Sequence, residues 1–415
     1  MVCNPKKNTI FASNIEGAQR YGKKTTSRDG SSRHHKPPFI MNQPLRIIIS
    51  GGGTGGHIFP AISIANAIRD KHPDAKILFV GALGRMEMQR VPAEGYNIKG
   101  LPICGFDRKH LLKNIIVLWK IWKSRRIAMQ IIKDFKPMVA VGVGGYASGP
   151  TLDRCASMGI PCLLQEQNSY AGVTNKLLAR KAGKICVAYE GMERFFPSEK
   201  ILLTGNPVRN NLLDTNVSKA FALKQMNLDP DKKTILVVGG SLGARTLNES
   251  IMNHIEAIEA GEVQWIWQTG KVYHDSISRT LSSRLPLRNL VVTDFIADMG
   301  AAYQAADLII SRAGAGSISE FCMIGKPVIL VPSPNVAEDH QTKNAMALVD
   351  KQAAICVKDS EAGEKLYRTA IDTIADEERM QNLSRNILKL ALPDAAQIIA
   401  DEVVRMAIRY QEKQP

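Results

Sequence analysis

Short apolar runs alternate with segments of helical periodicity along most of this chain. Each run is bounded by glycine, proline or polar residues, which is typical of buried strands. In the first half of the chain the pattern predicts strands at 45–50, 76–81, 97–103, 138–143, 161–166, 184–189 and 201–204. Strands that alternate with helices in this way form a parallel sheet covered on both faces.

The pattern starts again near Gly205-Asn-Pro-Val208. We therefore predict an α/β protein in which two Rossmann-like domains, 42–204 and 205–392, face each other with their parallel sheets across a cleft. A final helix is predicted within 393–415. It is expected to pack back on one of the two domains, with the N-terminal domain as the preferred partner. The strands predicted in the second domain are 233–238, 263–268, 290–293, 307–311, 327–331 and 354–357.

Composition narrows the class of protein. The chain has 415 residues, of which 45% are hydrophobic and 22% charged, as expected of a soluble protein with two ordinary cores. No apolar run approaches the length of a membrane span. The seven cysteines are scattered and never spaced Cys-x-x-Cys, which favours a reducing cytoplasm and argues against a structural zinc site.

The net charge of +15 lies partly near the N-terminus. The first forty residues hold eight lysines and arginines against Glu16 and Asp29, without apolar periodicity. This composition predicts a disordered basic extension, residues 1–41. The extension lacks the apolar core of a secretory signal.

The segment richest in candidate chemistry is Gly51-Gly-Gly-Thr-Gly-Gly-His57, between the first strand and a helix predicted from Ile58 to Arg69. Glycines let the backbone turn sharply and bring N–H groups close to a ligand, and the helix adds the positive end of its dipole. The pattern predicts a site for a polar ligand, often an anion. His57 places a titratable ring at its mouth.

The same glycines raise the hypothesis of an NAD-dependent oxidoreductase, since Gly51, Gly53 and Gly56 satisfy G-x-G-x-x-G. That fingerprint also needs an acidic residue at the end of the second strand to bind ribose. The strand ends Phe79-Val-Gly-Ala82, and Glu87 comes too late, inside the next helix. The NAD hypothesis loses most of its weight. A tight structural turn, in turn, explains one or two glycines but not five with a threonine and a histidine.

Two further polar segments follow strands and open helices. The N–H groups of 311–320 suit a diphosphate and Glu320 suits ribose hydroxyls, while an N-capped helix with a favourable acid is the structural alternative. Residues 338–344 are all polar, and a solvated helix start is their alternative. Asp153 and the Asp229-Pro-Asp231 pair come nearest to a metal motif, and no metal site is predicted.

Residues 106–133 combine eight lysines and arginines with two tryptophans. This predicts a basic amphipathic helix on an anionic membrane surface, and the alternative is a core-facing helix with a solvated basic face. Nucleic acid is a weaker alternative, because the aromatic residues alternate with aliphatic ones rather than form a stacking platform. One helical face would carry Leu111, Ile115, Trp119 and Trp122.

Six motifs are highly specific in combination. They are Gly52-Gly-Thr-Gly-Gly-His-Ile-Phe-Pro60, Gly144-Gly-Tyr-Ala-Ser-Gly-Pro150, Gln165-Glu-Gln-Asn168, Gly205-Asn-Pro-Val-Arg209, Gly239-Gly-Ser-Leu-Gly-Ala244 and the 311–320 loop. In this order they resemble the MurG family, bacterial N-acetylglucosaminyltransferases that act late in peptidoglycan precursor synthesis. The resemblance covers residues 43–410.

The resemblance implies a GT-B fold, with UDP-N-acetylglucosamine as donor and lipid I, the undecaprenyl-diphosphate-linked muramyl pentapeptide, as acceptor. Transfer to the 4-hydroxyl of the muramyl sugar would invert the transferred sugar and give lipid II. No cofactor, no metal and no nucleic acid partner are implied. The protein would work at the cytoplasmic face of the cell membrane as a peripheral protein.

The resemblance also implies roles for residues of the first domain. Thr54, Gly55 and Gly56 would line the donor sugar and diphosphate side of the cleft. Asn168 would contact the N-acetylglucosamine. The basic segment 106–122 would lie near the membrane-facing patch of the family.

In the second half, the resemblance implies that Arg209 and Ser241 contact the diphosphate and nucleotide. Ile296 would seat the uracil by backbone contacts, and Gln341 would hold the sugar. Diphosphate and ribose would be held by Ala315, Gly316, Ser317 and Glu320.

An inverting transfer needs a base for the acceptor hydroxyl and stabilisation of the charge that develops on UDP. His57 is the first candidate base, because a helix N-terminus disfavours its charged form. Its alternatives are binding the acceptor diphosphate and capping the loop. Glu166 is the second candidate, with an orienting role as its alternative. Helix N-termini, glycine-loop amides and Arg209 would stabilise UDP without a metal.

Besides the oxidoreductase, two hypotheses stay open. One is a non-catalytic nucleotide-binding scaffold at a membrane, against which the intact polar residues of every motif count. The other is a GT-B transferase with another lipid or secondary-metabolite acceptor.

Overall fold

The computed structural model describes residues 43–105, 114–208, 217–240, 242–284 and 286–414. The predicted extension 1–41 lies outside these ranges, as do Leu111, Arg209 and Ser241.

The first half of the chain forms a parallel sheet of seven strands within the described residues, in the order β3-β2-β1-β4-β5-β6-β7. Every strand falls within one or two residues of its predicted position or inside it. The strands are β1 (Arg46–Ser50), β2 (Lys76–Ala82), β3 (Asn97–Leu101), β4 (Val139–Gly142), β5 (Cys162–Glu166), β6 (Lys184–Val187) and β7 (Ile201–Leu203).

The second half repeats this plan with six strands, in the order β10-β9-β8-β11-β12-β13 and again all parallel. The predicted α/β class with two Rossmann-like sheets is confirmed. The domain limits themselves stay a prediction. The strands are β8 (Thr234–Val238), β9 (Gln264–Gln268), β10 (Leu290–Thr293), β11 (Leu308–Ser311), β12 (Val328–Leu330) and β13 (Ile355–Cys356).

Helices cover both faces of each sheet, as the nearly continuous burial of the central strands requires. In the first half they are α1 (Gly55–Lys71), α2 (Glu87–Ala93), α3 (Asn114–Phe135), α4 (Ser148–Ser157) and α5 (Val173–Leu178). In the second half they are α6 (Lys219–Gln225), α7 (Arg245–Met252), α8 (Ile255–Ala260), α9 (His274–Leu281), α10 (Met299–Ala305), α11 (Ala315–Ile324), α12 (His340–Val349), α13 (Ala362–Ala375), α14 (Glu377–Leu388) and α15 (Ala395–Glu412).

The last helix returns to the first half of the chain. Helix α15 packs against α1 and β4, and Lys71 pairs with Asp401 at 2.5 Å. Within the described ranges, no helix combines the length and the apolar character that crossing a membrane requires.

The strand orders fix where a ligand site can form. In the first sheet the order reverses between β1 and β4, and in the second between β8 and β11. Loops at the carboxyl ends of such strands diverge and leave a crevice, the usual ligand site of open α/β sheets. The glycine turn at 51–56 and the loop at 312–314 follow β1 and β11, so both predicted sites lie at these positions.

Candidate active site

The first glycine turn has a backbone that side chains would disturb. Gly52 and Gly53 have φ of 140° and 91°, and a Cβ on Gly51 would lie 2.2 Å from Cγ2 of Val143. Helix α1 begins at Gly55, three residues before the predicted start. His57 therefore lies in the first turn of the helix rather than ahead of it.

The position of His57 is set by Thr54, the residue before the helix. The Thr54 carbonyl accepts the His57 N–H at 3.1 Å. The Thr54 Oγ1 does not cap the helix and lies 3.2 Å from His57 Nδ1. The ring packs beside Gly144, where a Cβ would approach its Cδ2 to 2.8 Å. Burial lowers the pKa of His57 below 6.5, and the charge on Glu166 opposes this only in part. The imidazole is thus held in its neutral form near pH 7.

A buried carboxylate lies beneath this turn. Glu87 Oε2 accepts the Gly53 N–H and Oε1 accepts the Ala82 N–H, both at 2.9 Å. Glu87 is the first residue of α2, and in space it returns to the end of β2. As predicted, it lies inside the helix that follows β2, although its side chain reaches back to the strand end. Its oxygens are nevertheless bonded to backbone amides rather than presented to a ribose.

Glu166, at the end of β5, is also fully engaged. Its Oε1 accepts the Asn168 N–H at 3.1 Å, and its Oε2 accepts the Gly172 N–H and Asn175 Nδ2, each at 2.9 Å. With both oxygens occupied, the carboxylate orients the loop after β5, including the amide of Asn168.

Asn344 of α12 joins the two halves of the protein across the cleft. Its Oδ1 accepts the Ser169 N–H at 2.9 Å, and its Nδ2 donates to Asn168 Oδ1 at 3.1 Å. The sequence placed Asn344 in a polar segment, but its partner lies 176 positions away. Periodicity along the chain carries no signal for such a contact.

A second connection forms behind the cleft, where the chain passes from the first half to the second. Asn206 Oδ1 accepts from Gln165 Nε2 at 2.9 Å, and Asn206 Nδ2 donates to the Gln167 carbonyl at 3.0 Å and to Ser319 Oγ at 3.1 Å. One amide side chain thereby ties β5 and its loop to α11.

The wall formed by the second half contains the start of α11. Gly314 precedes the helix, and Ala315, Gly316 and Ser317 make its first turn, where N–H groups have no partner within the helix. A Cβ on Gly316 would meet nothing within 4 Å, so this turn borders open space. Glu320 follows one turn later, and the buried Tyr303 donates to its Oε2 at 2.7 Å.

Two other predicted residues flank this wall. The Oε1 of Gln341, at the start of α12, accepts the Ser333 N–H at 2.8 Å, which fixes the side chain against the loop after β12. Ile296 follows the end of β10, and its side chain is buried.

His340 is a titratable residue of this site that the sequence interpretation passed over in favour of its neighbour Gln341. It is the first residue of α12, and its ring lies 6.3 Å from that of Tyr170. Burial lowers its pKa, whereas Glu166 and Glu338 raise it. Because His57 and His340 both feel the charge of Glu166, the two rings share one electrostatic environment.

The basic helix α3 presents an aromatic face outward. Trp119 and Trp122 are 55% and 52% exposed, and they stack with Lys123 at 5.0 Å and Arg126 at 4.2 Å respectively. Ile116 and Leu118, which the predicted stripe omitted, are exposed as well. The side chain of Ile115 lies outside the described residues. The opposite face of α3 is buried through Val117, Ser124, Ala128 and Ile132.

The two Rossmann-like halves, with His57 and two helix N-termini at the cleft between them, have the architecture of a GT-B glycosyltransferase. Sequence models agree with this class. Residues 47–187 match the glycosyltransferase family 28 N-terminal domain, and residues 234–399 match the glycosyltransferase family 28 C-terminal domain.

Comparisons with individual proteins identify the family within this class. A Bacteroides thetaiotaomicron protein named UDP-N-acetylglucosamine–N-acetylmuramyl-(pentapeptide) pyrophosphoryl-undecaprenol N-acetylglucosamine transferase is 66% identical, over 88% of this chain and 99% of its own length. A Porphyromonas gingivalis protein of the same name is 54% identical, over 88% and 96%. The crystal structure of Acinetobacter baumannii MurG superposes with a TM-score of 0.71 at 28% identity, covering 87% of this chain and 100% of that one. The chain belongs to glycosyltransferase family 28 and, within it, to the MurG family.

Proposed function

We propose that this chain transfers N-acetylglucosamine from UDP-N-acetylglucosamine to the 4-hydroxyl of the muramyl sugar of lipid I, with inversion, and so forms lipid II. The names of relatives at 54% and 66% identity state the transfer of N-acetylglucosamine and name N-acetylmuramyl-(pentapeptide) pyrophosphoryl-undecaprenol. The structural observation that carries the proposal is His57, a neutral imidazole of the first half whose helix α1 approaches α11 of the second.

The donor is proposed to lie along the second half. The first-turn N–H groups of α11 suit the diphosphate, because a helix N-terminus favours an anion. Glu320 would accept from the ribose hydroxyls and the Ile296 backbone would contact uracil. Gln341 and Asn168 would contact the sugar from opposite sides of the cleft. Arg209 and Ser241 keep the diphosphate and nucleotide roles that their motifs predict.

The acceptor is proposed to enter beside the first glycine turn. His57 would accept the proton of the attacking hydroxyl, since its lowered pKa keeps it unprotonated. Thr54 would hold the ring, because its hydroxyl can either donate to or accept from Nδ1. Glu166 would orient the loop after β5 rather than act as the base, because both of its oxygens accept hydrogen bonds already.

The lipid tail of this acceptor requires the site to lie near a membrane. We propose that the outer face of α3 rests on an anionic membrane surface, with Trp119 and Trp122 at the headgroup level. Lys123 and Arg126, which stack on these rings, would meet the lipid phosphates. We propose accordingly that the protein is peripheral and works at the cytoplasmic face of the membrane.

The test is a transfer assay with radiolabelled UDP-N-acetylglucosamine and a short-chain lipid I analogue. Labelled disaccharide product, absent when either substrate is omitted, is the expected result. Donor that binds in calorimetry without any product would leave a nucleotide-binding scaffold instead. Release of free N-acetylglucosamine without transfer would point to a different acceptor.

A further inference from the structure

Glu87 is a buried carboxylate to which neither the fold nor the proposed chemistry assigns a task. It is 1% exposed, and its two oxygens accept the N–H groups of Gly53 and Ala82. Two glycines make room for it. A Cβ on Gly52 would lie 2.2 Å from Oε1, and a Cβ on Gly81 would lie 2.6 Å from Cγ.

A glycine-rich turn of this kind normally binds an anionic group of a ligand. Backbone N–H groups that converge at a glycine-rich turn form a concavity for phosphate. Here the N–H of Gly53 already has its anion, supplied by the chain itself at the N-terminus of α2, where the helix dipole favours negative charge. A carboxylate that is buried this deeply persists only when it is hydrogen-bonded, and this one is bonded at both oxygens.

We infer that Glu87 is a positioning residue for the transfer reaction: its carboxylate takes the place of a phosphate in the first glycine turn and fixes the backbone that carries Thr54 and His57. The Gly53 N–H is therefore not available to a substrate diphosphate. This inference rests on the proposed role of His57 as the base.

Besides fixing the backbone, Glu87 acts on His57 through its charge, which stabilises the protonated imidazole. Burial lowers the pKa of His57. Glu166 from β5, the Gly52 backbone and Glu87 from α2 raise it, whereas His340 from α12 lowers it. When His57 takes the proton of the acceptor hydroxyl, Glu87 and Glu166 both stabilise the imidazolium that forms.

The experiment compares Glu87→Gln and Glu87→Asp with the wild-type enzyme. Glu87→Gln keeps the shape of the side chain, but its amide NH2 group faces one of the two backbone N–H donors and cannot accept a hydrogen bond from it. We expect kcat to fall about 10- to 100-fold, because small misplacements of a catalytic group are costly. KM for UDP-N-acetylglucosamine should stay unchanged. Losing the negative charge should lower the pKa of His57, so the acid limb of kcat should move to lower pH by a few tenths of a unit.

Glu87→Asp separates geometry from charge. The shorter side chain cannot reach both N–H groups, so kcat should fall, but the retained charge should leave the acid limb in place. Glu94→Gln is the matched control, since it removes the same charge from an exposed residue next to α2. It should behave as wild type in both measurements.

A titration of the His57 ring by NMR in histidine-labelled protein measures its pKa without activity. Wild-type kcat in Glu87→Gln, or a His57 pKa that does not fall in this variant, would overturn the inference. If Glu87→Gln does not fold, Glu87→Asp decides: full kcat contradicts the role, and reduced kcat with an unmoved acid limb supports it. Full turnover in His57→Ala would remove the proposed base and with it the inference, whereas loss of turnover in His57→Ala with wild-type kcat in Glu87→Gln would overturn the inference alone.

Discussion

His57 lies in the first turn of α1 beside Thr54, and its burial and the helix N-terminus both favour a neutral ring. Replacing His57 by Ala should lower kcat at least about 100-fold, the usual contribution of a general base. The dissociation constant for UDP-N-acetylglucosamine should change little, because the donor is proposed to lie on the other wall. Steady-state kinetics and calorimetry measure the two quantities. His72→Ala, at the opposite end of the same helix, is the control, and near-normal kcat in His57→Ala would assign His57 to structure.

The pH dependence follows from the same ring. As the proposed base, His57 must be neutral, so activity should be lost as the pH falls through its pKa, which burial holds below 6.5. The acid limb of kcat/KM should therefore be centred below pH 6.5, so that activity persists at mildly acidic pH. Because His340 is shifted in the same direction, the profile should be repeated in His340→Gln. A limb centred above pH 6.5 in both proteins contradicts the assignment.

Glu320 is proposed to bind the ribose of the donor, so we expect the hydrogen bond that it accepts from Tyr303 to affect donor binding. Tyr303→Phe removes a donor to a carboxylate, a contact worth about 1.5–3 kcal/mol, so KM for the donor should rise about tenfold or more while kcat changes little. Discrimination against a 2′-deoxyuridine donor should also weaken. Tyr367→Phe, remote from the cleft, is the control. Unchanged donor KM with reduced stability would make the bond purely structural.

At the scale of elements, the helices and strands could be predicted closely because each is a local pattern. Strand β8 was predicted at 233–238 and lies at Thr234–Val238. The start of α1 was missed by three residues, because glycine carries no apolar signal for a helix. The pairing of Asn344 with Ser169 and the return of Glu87 to Ala82 could not be predicted, since both depend on tertiary folding.

Helix α3 is the element that a membrane test addresses. Trp119→Ala and Trp122→Ala should each weaken binding to vesicles rich in anionic phospholipid by about tenfold or more, since burying a large apolar side chain contributes about 1.5–3 kcal/mol. Activity on a water-soluble acceptor analogue should remain. Phe221→Ala, an equally exposed aromatic residue on α6, is the control. Vesicle flotation that is unchanged in the double variant would reject this face.

At the scale of the whole molecule, Asn206 holds the two halves in register. Asn206→Ala leaves the Gln165 amide and the Gln167 carbonyl without this partner, and a buried polar group without its partner costs about 1–3 kcal/mol. Urea unfolding should show this loss, and KM for the donor should rise because the walls of the cleft are less well aligned. Asn382→Ala, exposed on α14, is the control. Wild-type stability and donor KM would show that Asn206 is dispensable.

Under the proposed assignment, acceptor recognition and donor recognition are separated by position along the chain. The proposed acceptor contacts precede Asn206 and most of the donor contacts follow it, so a chimaera joined there would exchange the acceptor-recognising half of one relative for that of another. Three contacts between the two halves would have to be preserved in such a chimaera. They are Asn206 with Ser319, Asn344 with Ser169, and Glu190 with Lys351 at 2.8 Å. A recombinant that preserves these pairs would inherit acceptor choice from one parent and nucleotide choice from the other.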